Sequence, residues 1–255
     1  MSGLQWKLSR AAALFRRLPF GLACRLTIVN GFRSFLDGNQ RSSYSQIGDD
    51  LLIDALLGSR PAGWYVDIGC HDPVYLSNTF QLYTRGWRGL VVDANPALIA
   101  RFKRSRPHDI AVCAAVSDIV ETRSFVCSRQ PEVSSLIPEL ISEADRVSET
   151  VVVTTTLTSL LETHKVPHDF DLLSIDIEGF DVPALAGLDW MTYRPRIIVV
   201  EMHGFDIANP SSSSAYTLLT NQGYRLVGLN ILNGFFCEIA NAANARPVER
   251  CVDRA

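Results

Sequence analysis

Short apolar runs alternate with amphipathic stretches along this chain, and each run ends beside a glycine or a polar residue. The runs predict five buried strands, namely Trp64–Ile68, Gly89–Asp93, Ile110–Val116, Phe170–Ile175 and Arg196–Glu201. Apolar positions at helical spacing predict helices around 45–58, 78–84, 96–104 and 211–222. Such an alternation is typical of a parallel sheet that is covered by helices on both faces.

The end of the chain departs from this alternation. Its last two strands, Tyr224–Leu229 and Phe235–Ile239, flank Asn233-Gly234, a dipeptide that favours a tight hairpin turn. A closing antiparallel hairpin is a feature of class I methyltransferase sheets. We therefore predict an α/β, Rossmann-like fold with a mostly parallel seven-stranded sheet, helices on both faces and a C-terminal antiparallel hairpin. Segments 121–127 and 149–156 are also rich in β-forming residues and enclose an irregular insertion.

The composition of the chain agrees with a globular domain. Of 255 residues, 47% are apolar and 20% are charged, which excludes a disordered chain, a collagen-like repeat and a coiled coil. The six cysteines form no C-x-x-C pair, which excludes a zinc ribbon and a thioredoxin motif. Cys113 lies in an apolar run, and we expect it to fill space in the core. This cysteine usage favours a reducing compartment, and we expect a cytoplasmic protein.

Charge is distributed unevenly along the chain. Residues 1–36 hold six basic side chains and no acidic one, whereas the rest holds 18 basic and 27 acidic side chains, a net charge of −9. A protein body of this charge does not suit a polyphosphate partner, so we expect no nucleic acid.

Basic and apolar residues interleave from position 4 to 36, and Pro19 is expected to divide this stretch into two helical pieces. Its longest uncharged run, Leu18–Cys24, is much shorter than a membrane span, and Arg16 and Arg17 interrupt any secretory signal. Residues 4–36 either contact the inner face of an anionic membrane peripherally or pack on the domain with their bases in water. The predicted organisation is a basic amphipathic helical segment (1–41), a ligand-binding catalytic domain (42–245) and a tail (246–255).

Acidic and small polar residues cluster at four predicted strand ends. These are Asp67-Ile-Gly69, Asp93, Ser174 to Gly179, and Glu201-Met-His203. The carboxyl ends of parallel strands meet at one edge of the sheet, and ligands bind there. Their convergence indicates a functional site rather than four unrelated turns.

The turn after the first strand suits a ligand that has no phosphates. It contains one glycine, Gly69, and lacks the G-x-G-x-x-G pattern with which a pyrophosphate is cradled. S-adenosylmethionine fits, since Gly69 lets the backbone approach its amino-acid end and Asp93, 24 residues on, is placed to accept its ribose hydroxyls. Because NAD sites share that ribose contact, an NAD-dependent oxidoreductase is the less favoured alternative.

An ordered set of motifs carries a resemblance to a known family. The motifs are Tyr44–Asp50, Val66–Gly69, Ser77–Thr79, Arg85–Gly89, Asp93–Pro96, Ala115–Asp118, Leu173–Gly179 and Asp189–Pro195. Together they resemble the FkbM family of S-adenosylmethionine-dependent methyltransferases over residues 44–205. The resemblance implies the class I fold and methyl transfer to oxygen, often on a sugar of a surface glycan, a glycolipid or a natural product. The stretch Cys70–Pro73 departs from the Ala-Asn-Asp-Gly of many members.

The resemblance also implies positions for the cofactor. It assigns Asp67 and Gly69 to the first turn, Asp93 and Ala94 to the ribose, and Ala115, Val116 and Ser117 to the adenine edge. Ser77 and Asn78 are assigned either to the methionine end or to orienting the helix that contacts it. His71 and Asp176 are further candidates for contact with the cofactor.

A sugar hydroxyl needs a base, and the fourth and fifth strand ends offer four candidates: His203, Asp176, Glu178 and Glu201. His203 has the most suitable intrinsic pKa. Another route is a divalent cation such as Mg²⁺, held by Asp176 and Glu201, that lowers the pKa of the hydroxyl. Glu178 can also be interpreted simply as a residue in a turn that opens a helix.

The acceptor is expected to be a small molecule or a glycan. Loops at 127–150 and 203–214 are predicted to shape its site, because loops on a rigid scaffold set specificity. An alternative from another class is a protein that binds S-adenosylmethionine without catalysis, as a membrane-recruited partner of a glycan assembly enzyme.

Overall fold

The computed structural model describes residues 11–36, 43–58, 60–130 and 134–239. The strands in these ranges are β1 Trp64–Ile68, β2 Arg88–Asp93, β3 Ile110–Cys113, β4 Ala115–Val116, β5 Thr122–Ser128, β6 Arg146–Thr155, β7 Leu172–Ile175, β8 Ile197–Glu201, β9 Tyr224–Leu229 and β10 Asn233–Glu238. The α-helices are α1 Phe20–Leu36, α2 Asp49–Leu57, α3 Phe80–Thr84, α4 Pro96–Ser105, α5 Leu157–Thr163, α6 Asp181–Ala186 and α7 Ser214–Asn221. Residues 11–17 are also helical, and 3₁₀ turns lie at Pro138–Leu140 and Pro210–Ser212.

Seven strands form the main sheet in the order β3-β2-β1-β7-β8-β10-β9. Neighbouring strands from β3 to β8 pair in parallel, and β10 is antiparallel to both β8 and β9. The predicted seven-stranded, mostly parallel sheet with an antiparallel C-terminal hairpin is therefore confirmed. This topology is that of the class I methyltransferase fold.

The sheet buries an apolar row on each face because strand side chains alternate with a period of two. Val66 and Ile68 of β1 belong to a cluster with α5, α6 and α7, whereas Tyr65 belongs to a cluster with α1, α2, α3 and α4. Continuous apolar strands are the expected solution for a sheet that is covered on both sides. Asp67 shares the row of Tyr65, so its carboxylate is directed into the layer of α3 and α4 rather than along the edge of the sheet.

The third predicted strand is wrong in its extent, because the chain changes sheets within Ile110–Val116. Only β3 pairs with β2, whereas β4 pairs with β6 in a second sheet of order β4-β6-β5. The backbone of Ala114 still donates to Asp93 O at 3.1 Å, and that of Ser117 already donates to Thr155 O at 2.9 Å. The β5–β6 hairpin draws the strand away from the main sheet, and this long-range pairing leaves no mark in the local pattern of apolar residues.

The turn of the closing hairpin lies at 230–232 rather than at Asn233-Gly234, which belongs to β10. The side-chain oxygen of Asn230 accepts hydrogen bonds from Leu232 N at 3.0 Å and Asn233 N at 2.6 Å, and so organises the turn. Gly234 serves packing, because a Cβ there would lie 2.2 Å from Met202 Sδ. The dipeptide that resembled a turn signal thus reflects close packing under the strand.

Cys113 is exposed, contrary to the prediction that it fills the core. It ends β3, the strand at one edge of the main sheet, and its Sγ lies 3.5 Å from Ala94 O. An edge strand has a neighbour on one side only, so an apolar run there does not guarantee burial.

The N-terminal segment changes direction near Pro19, as predicted, between helical residues 11–17 and α1. Leu14, Leu18, Ala23 and Leu26 are buried against the domain. No helix among the described residues is long and apolar enough to cross a bilayer. Residues 1–10 and the predicted tail, 246–255, lie outside the described part of the chain.

Candidate functional site

A crevice opens at the carboxyl ends of β1, β2 and β7, where the order of the main sheet reverses. Such a switch point is where open α/β sheets bind ligands. The crevice is lined by Ile68, Gly69, His71, Val92, Asp93, Ala94, Ala114, Ala115, Val116, Phe125, Ser134, Ser135, Leu136, Asp176, Ile177 and Glu178. It holds about 530 Å³ of non-protein space, counted out into open solvent.

Glycine is required at position 69, where β1 ends, because the backbone of the protein leaves no room for a side chain there. Its φ is +81°, and a Cβ on it would lie 1.7 Å from the carbonyl oxygen of Asp176. The backbone of Asp176 donates to Ile68 O at 2.9 Å, and that of Gly69 donates to Val92 O at 2.9 Å, which draws three strand ends together. No side chain fits between β1 and β7 here, so the floor of the crevice is bare backbone.

Asp93 ends β2 with its carboxylate at the crevice. Asn95 N donates to one oxygen at 2.7 Å and His71 N to the other at 3.3 Å. Burial raises the pKa of Asp93, and these two donors oppose the rise. His71 adopts a φ of +48°, a strained conformation for a residue with a side chain, and such strain is often found at functional sites. The arrangement holds a carboxylate ready to accept further hydrogen bonds from hydroxyl groups.

One wall of the crevice is apolar, and part of it comes from the loop 127–150 that the sequence predicts to shape the acceptor site. Phe125 comes from β5, and Ser135 and Leu136 come from the stretch that follows β5. Ser135 Oγ donates to Glu178 O at 2.9 Å and so ties this stretch to the end of β7. Ser135 and Leu136 lie within that predicted loop, whereas Phe125 lies in the β-rich segment 121–127, which carried no site prediction. Ala94 and Ala115 also line the crevice, and both pack in the same apolar cluster as Phe125 and Leu136.

Four predicted cofactor residues are absent from the lining of this crevice and lie in the packing behind it. Asp67 accepts from Thr79 Oγ1 at 2.6 Å, and burial raises its pKa to about 6. Ser77 Oγ accepts from Phe80 N at 3.1 Å at the start of α3. Asn78 Nδ2 donates to Ser174 Oγ at 3.1 Å, and Ser117 Oγ donates to Asp118 at 2.9 Å. Their contacts are within the protein, and a direct role for them in cofactor binding stays a prediction.

A fully buried arginine, Arg106, is hydrogen-bonded to the residues that pack behind the crevice. Its guanidinium donates to Asp109 at 2.7 Å, Tyr65 OH at 2.7 Å and Thr79 Oγ1 at 3.1 Å, and Thr79 in turn holds Asp67. The network thus connects the end of α4 to β1 and to the stretch before α3. Arginine is rarely buried without such partners. Nothing in the sequence around Arg106 indicates that its side chain is buried.

Three carboxylates gather at the ends of β7 and β8. Asp176, Glu178 and Glu201 each offer an oxygen, and these atoms lie within 4.8 Å of one another. Burial and the nearby Glu178 and Asp181 raise the pKa of Glu201 to about 7. Burial, then Glu201 and other acidic neighbours, raise the pKa of Asp176 well above its usual value. The cluster can therefore hold protons near neutral pH, or it can supply oxygen ligands of the kind that Mg²⁺ uses.

His203 lies beside this cluster but on its solvent side. Its Nδ1 is 3.7 Å from Glu201 Oε1, and its side chain is 77% exposed, whereas that of Glu201 is 18% exposed. Asp176 and Glu178 line the crevice, and neither Glu201 nor His203 does. The structure thus brings the four predicted catalytic residues to one region and places His203 furthest into water.

Comparisons with known proteins match one family profile and several solved structures. The sequence profile described as "Methyltransferase FkbM domain" matches residues 67–226, a range that begins at the end of β1 and contains β2, β7, β8 and every predicted site residue. A solved structure of a TehB-like SAM-dependent methyltransferase from Corynebacterium glutamicum is 16% identical, with a TM-score of 0.40, over 84% of this chain and 97% of that one. No curated protein sequence matches the chain.

Proposed function

The chain belongs to the FkbM family of S-adenosylmethionine-dependent methyltransferases, and from this premise we propose that it methylates a hydroxyl oxygen of a sugar. The proposed acceptor belongs to a surface glycan, a glycolipid or a natural product. One observation carries the proposal: a single crevice has the Asp93 carboxylate on one side and Asp176 and Glu178 of the carboxylate cluster on another. The family membership also removes the nicotinamide-dependent alternative.

The residues present fit S-adenosylmethionine. Asp93 keeps acceptor capacity for a ribose diol, and the apolar lining formed by Phe125, Leu136 and Ala115 suits an adenine ring. At Gly69 the bare backbone leaves access for an amino-acid end. When bound, the cofactor supplies a methyl group on a positively charged sulfur, which becomes neutral as the methyl leaves.

We assign the chain's own catalytic work to the carboxylate cluster. A sugar hydroxyl is not ionised near neutral pH, so a group must take its proton as the carbon–oxygen bond forms. Glu201, with a pKa of about 7, is ionised in a large fraction of molecules at neutral pH and can accept that proton. Burial and its acidic neighbours raise the pKa of Asp176, which favours its protonated form, and a protonated carboxyl can donate a hydrogen bond to the acceptor. His203, on the solvent side of Glu201, can pass the proton to water.

A divalent cation held by Asp176 and Glu201 is the other role that this cluster could fill. The two roles differ in one observable property, since chelation removes a metal but leaves a protein base in place. If the carboxylates act as bases, methyl transfer continues in EDTA; if they hold a cation, EDTA stops transfer and Mg²⁺ restores it.

The first test is calorimetric binding of S-adenosylmethionine and S-adenosylhomocysteine, with NAD as a negative control. We expect both sulfur ligands to bind, NAD to remain silent, and Asp93→Ala to weaken binding by at least about tenfold, because a charged acceptor of hydrogen bonds is lost. Asp169→Ala is the matched control, since Asp169 is exposed and lies before β7, away from the crevice.

Equal affinities for Asp93→Ala and Asp169→Ala would contradict the ribose assignment. Release of S-adenosylhomocysteine is then screened over a panel of sugars and glycosides, each with a deoxy counterpart that lacks one hydroxyl. Turnover that disappears with that hydroxyl supports transfer to oxygen. Tight binding with no turnover on any glycan would instead support the non-catalytic alternative.

A further inference from the structure

Helix α1 is apolar on two opposite faces. Ala23 and Leu26 are buried against the domain, whereas Phe20 and Ile28 on the other side are 77% and 71% exposed. At 3.6 residues per turn, Phe20 and Ile28 lie two turns apart on the same side of the helix. A helix that is apolar all round is normally buried on all sides. Within the described part of the chain, the outer side of α1 is left to water.

Exposed apolar side chains lie on both sides of Pro19. Phe15, from the helical turn before Pro19, places its ring centroid 5.8 Å from that of Phe20. Phe15 is 44% exposed. We call Phe15, Phe20 and Ile28 the outer patch.

The outer patch has a fixed orientation because the helical segment is anchored at two places. Arg17 donates to Trp87 O at 2.6 Å, its guanidinium lies 4.6 Å from the centre of the Tyr83 ring, and Tyr83 OH donates to Arg17 O at 2.7 Å. Near the other end, Asn30 donates to Tyr44 OH at 3.0 Å. The inner face of α1 therefore packs against the domain, and its outer face is accessible to a binding partner.

Charge indicates what that partner is. Arg16 and Arg25, both exposed, flank the outer patch, and residues 1–36 carry six basic side chains and no acidic one, while the rest of the chain carries a net charge of −9. An anionic surface attracts this end and repels the remainder, which orients the molecule. In a symmetric dimer through the outer patch, each copy would place its basic segment against the same segment of the other.

We propose that the outer patch docks on an anionic lipid bilayer, with Phe15, Phe20 and Ile28 entering the headgroup boundary and Arg16 and Arg25 contacting anionic headgroups. Apolar side chains flanked by bases on an in-plane helix are the features by which peripheral proteins bind such surfaces. The protein would then act at the membrane surface without crossing it.

The test uses the full chain and vesicles of phosphatidylcholine, with and without phosphatidylglycerol. We expect sedimentation with the anionic vesicles only, and weaker sedimentation as salt is raised. The double variant Phe20→Ser/Ile28→Ser should lower the vesicle partition coefficient by at least about tenfold, because two apolar side chains no longer leave water. Met191→Ser/Ile231→Ser is its control, since these side chains are 92% and 85% exposed elsewhere on the molecule.

The charge contribution is tested separately. Arg16→Gln/Arg25→Gln should weaken binding to anionic vesicles, whereas Arg104→Gln/Arg129→Gln, which also removes two exposed bases, should not. Circular dichroism on each variant checks that the fold is retained.

Two results would overturn the proposal. One is equal sedimentation of the full chain with and without phosphatidylglycerol, or of the outer-patch variant and its control. The other is a dimer in sedimentation velocity that Phe20→Ser/Ile28→Ser converts to monomer while vesicles fail to bind, because the occupant would then be a second copy of the chain.

Discussion

At the residue scale, the carboxylates of the site differ because of where the fold places them. Asp93 has two backbone donors, and Glu201 lies among other acids with its pKa raised to about 7. In the sequence both are simply acidic residues at strand ends. Histidine is usually the first choice for a base near neutral pH. His203, however, is the most exposed member of its group, and the half-buried Glu201 acquires the suitable pKa from its surroundings.

Replacing Glu201 tests the proposed base. Glu201→Gln should lower kcat by about 10²–10⁴ and leave the Kd for S-adenosylmethionine unchanged, because the group acts on the acceptor. In the unmodified enzyme, kcat/KM should rise with pH through about 7, since the base must lose its proton, and the variant should lose this rise. His203→Ala should have a smaller effect. The opposite ranking of the two variants, measured with the acceptor found by screening, would transfer the base role to His203.

At the element scale, buried polar contacts decide how the helices and the turns meet the sheet. Arg106 connects the end of α4 to Tyr65 of β1 and to Ser77 and Thr79 before α3. In the closing hairpin, the amides of Asn230 and Asn233 both donate to Asp49 at the start of α2. The existence of these helices and strands was predictable from periodicity, but the contacts that join them were not, because each connects residues far apart in sequence.

Replacing Arg106 tests this joining role. Arg106→Met should lower the free energy of unfolding by about 3–5 kcal/mol, because Asp109 is left as an uncompensated buried charge. Arg106→Met/Asp109→Leu should recover part of that loss, since the lone charge is gone. Arg104→Met, an exposed change in the same helix, should stay within about 0.5 kcal/mol. Urea unfolding measures all three variants. Equal free energies of unfolding for Arg106→Met and Arg104→Met would show that the Arg106 network does not stabilise the fold.

At the scale of the whole molecule, the site makes stability depend on pH. Asp67 and Glu201 have folded-state pKa values raised by burial to about 6 and about 7, above the usual value near 4 for unfolded carboxyls. Below about pH 4 such groups are protonated in both the folded and the unfolded state, so they do not lower the free energy of unfolding. As pH rises from about 4 toward these raised values, the unfolded chain loses protons that the folded chain still holds, so the free energy of unfolding falls until the folded groups ionise as well.

We therefore expect the free energy of unfolding to decrease between about pH 5 and pH 8, and Glu201→Gln to make that decrease smaller. After allowance for solvent screening, the variant should be about 1–2 kcal/mol more stable than the natural chain near pH 8, with the difference shrinking toward pH 5. Glu162→Gln, an exposed change, should follow the natural chain. Urea unfolding at both pH values measures this, and a Glu201→Gln curve parallel to the natural one would contradict the raised pKa.

The sequence by itself determined the class of fold, the edge of the sheet at which the site lies, and the family. These are local properties, since periodicity, single-glycine turns and strand-end acids are all visible within a few residues. Tertiary structure decided the rest: that Gly69 is needed because the backbone of β7 passes beside it, that Ile110–Val116 divides between two sheets, and that Phe125 and Leu136 wall the crevice. It also decided that Asp67 is turned inward and that Glu201 is the acid whose pKa reaches about 7. The physical reason is that the burial of an atom, the electrostatic field at it and the space around it depend on neighbouring residues. Those neighbours are brought close by pairing between distant parts of the chain, so a local sequence pattern does not reveal them.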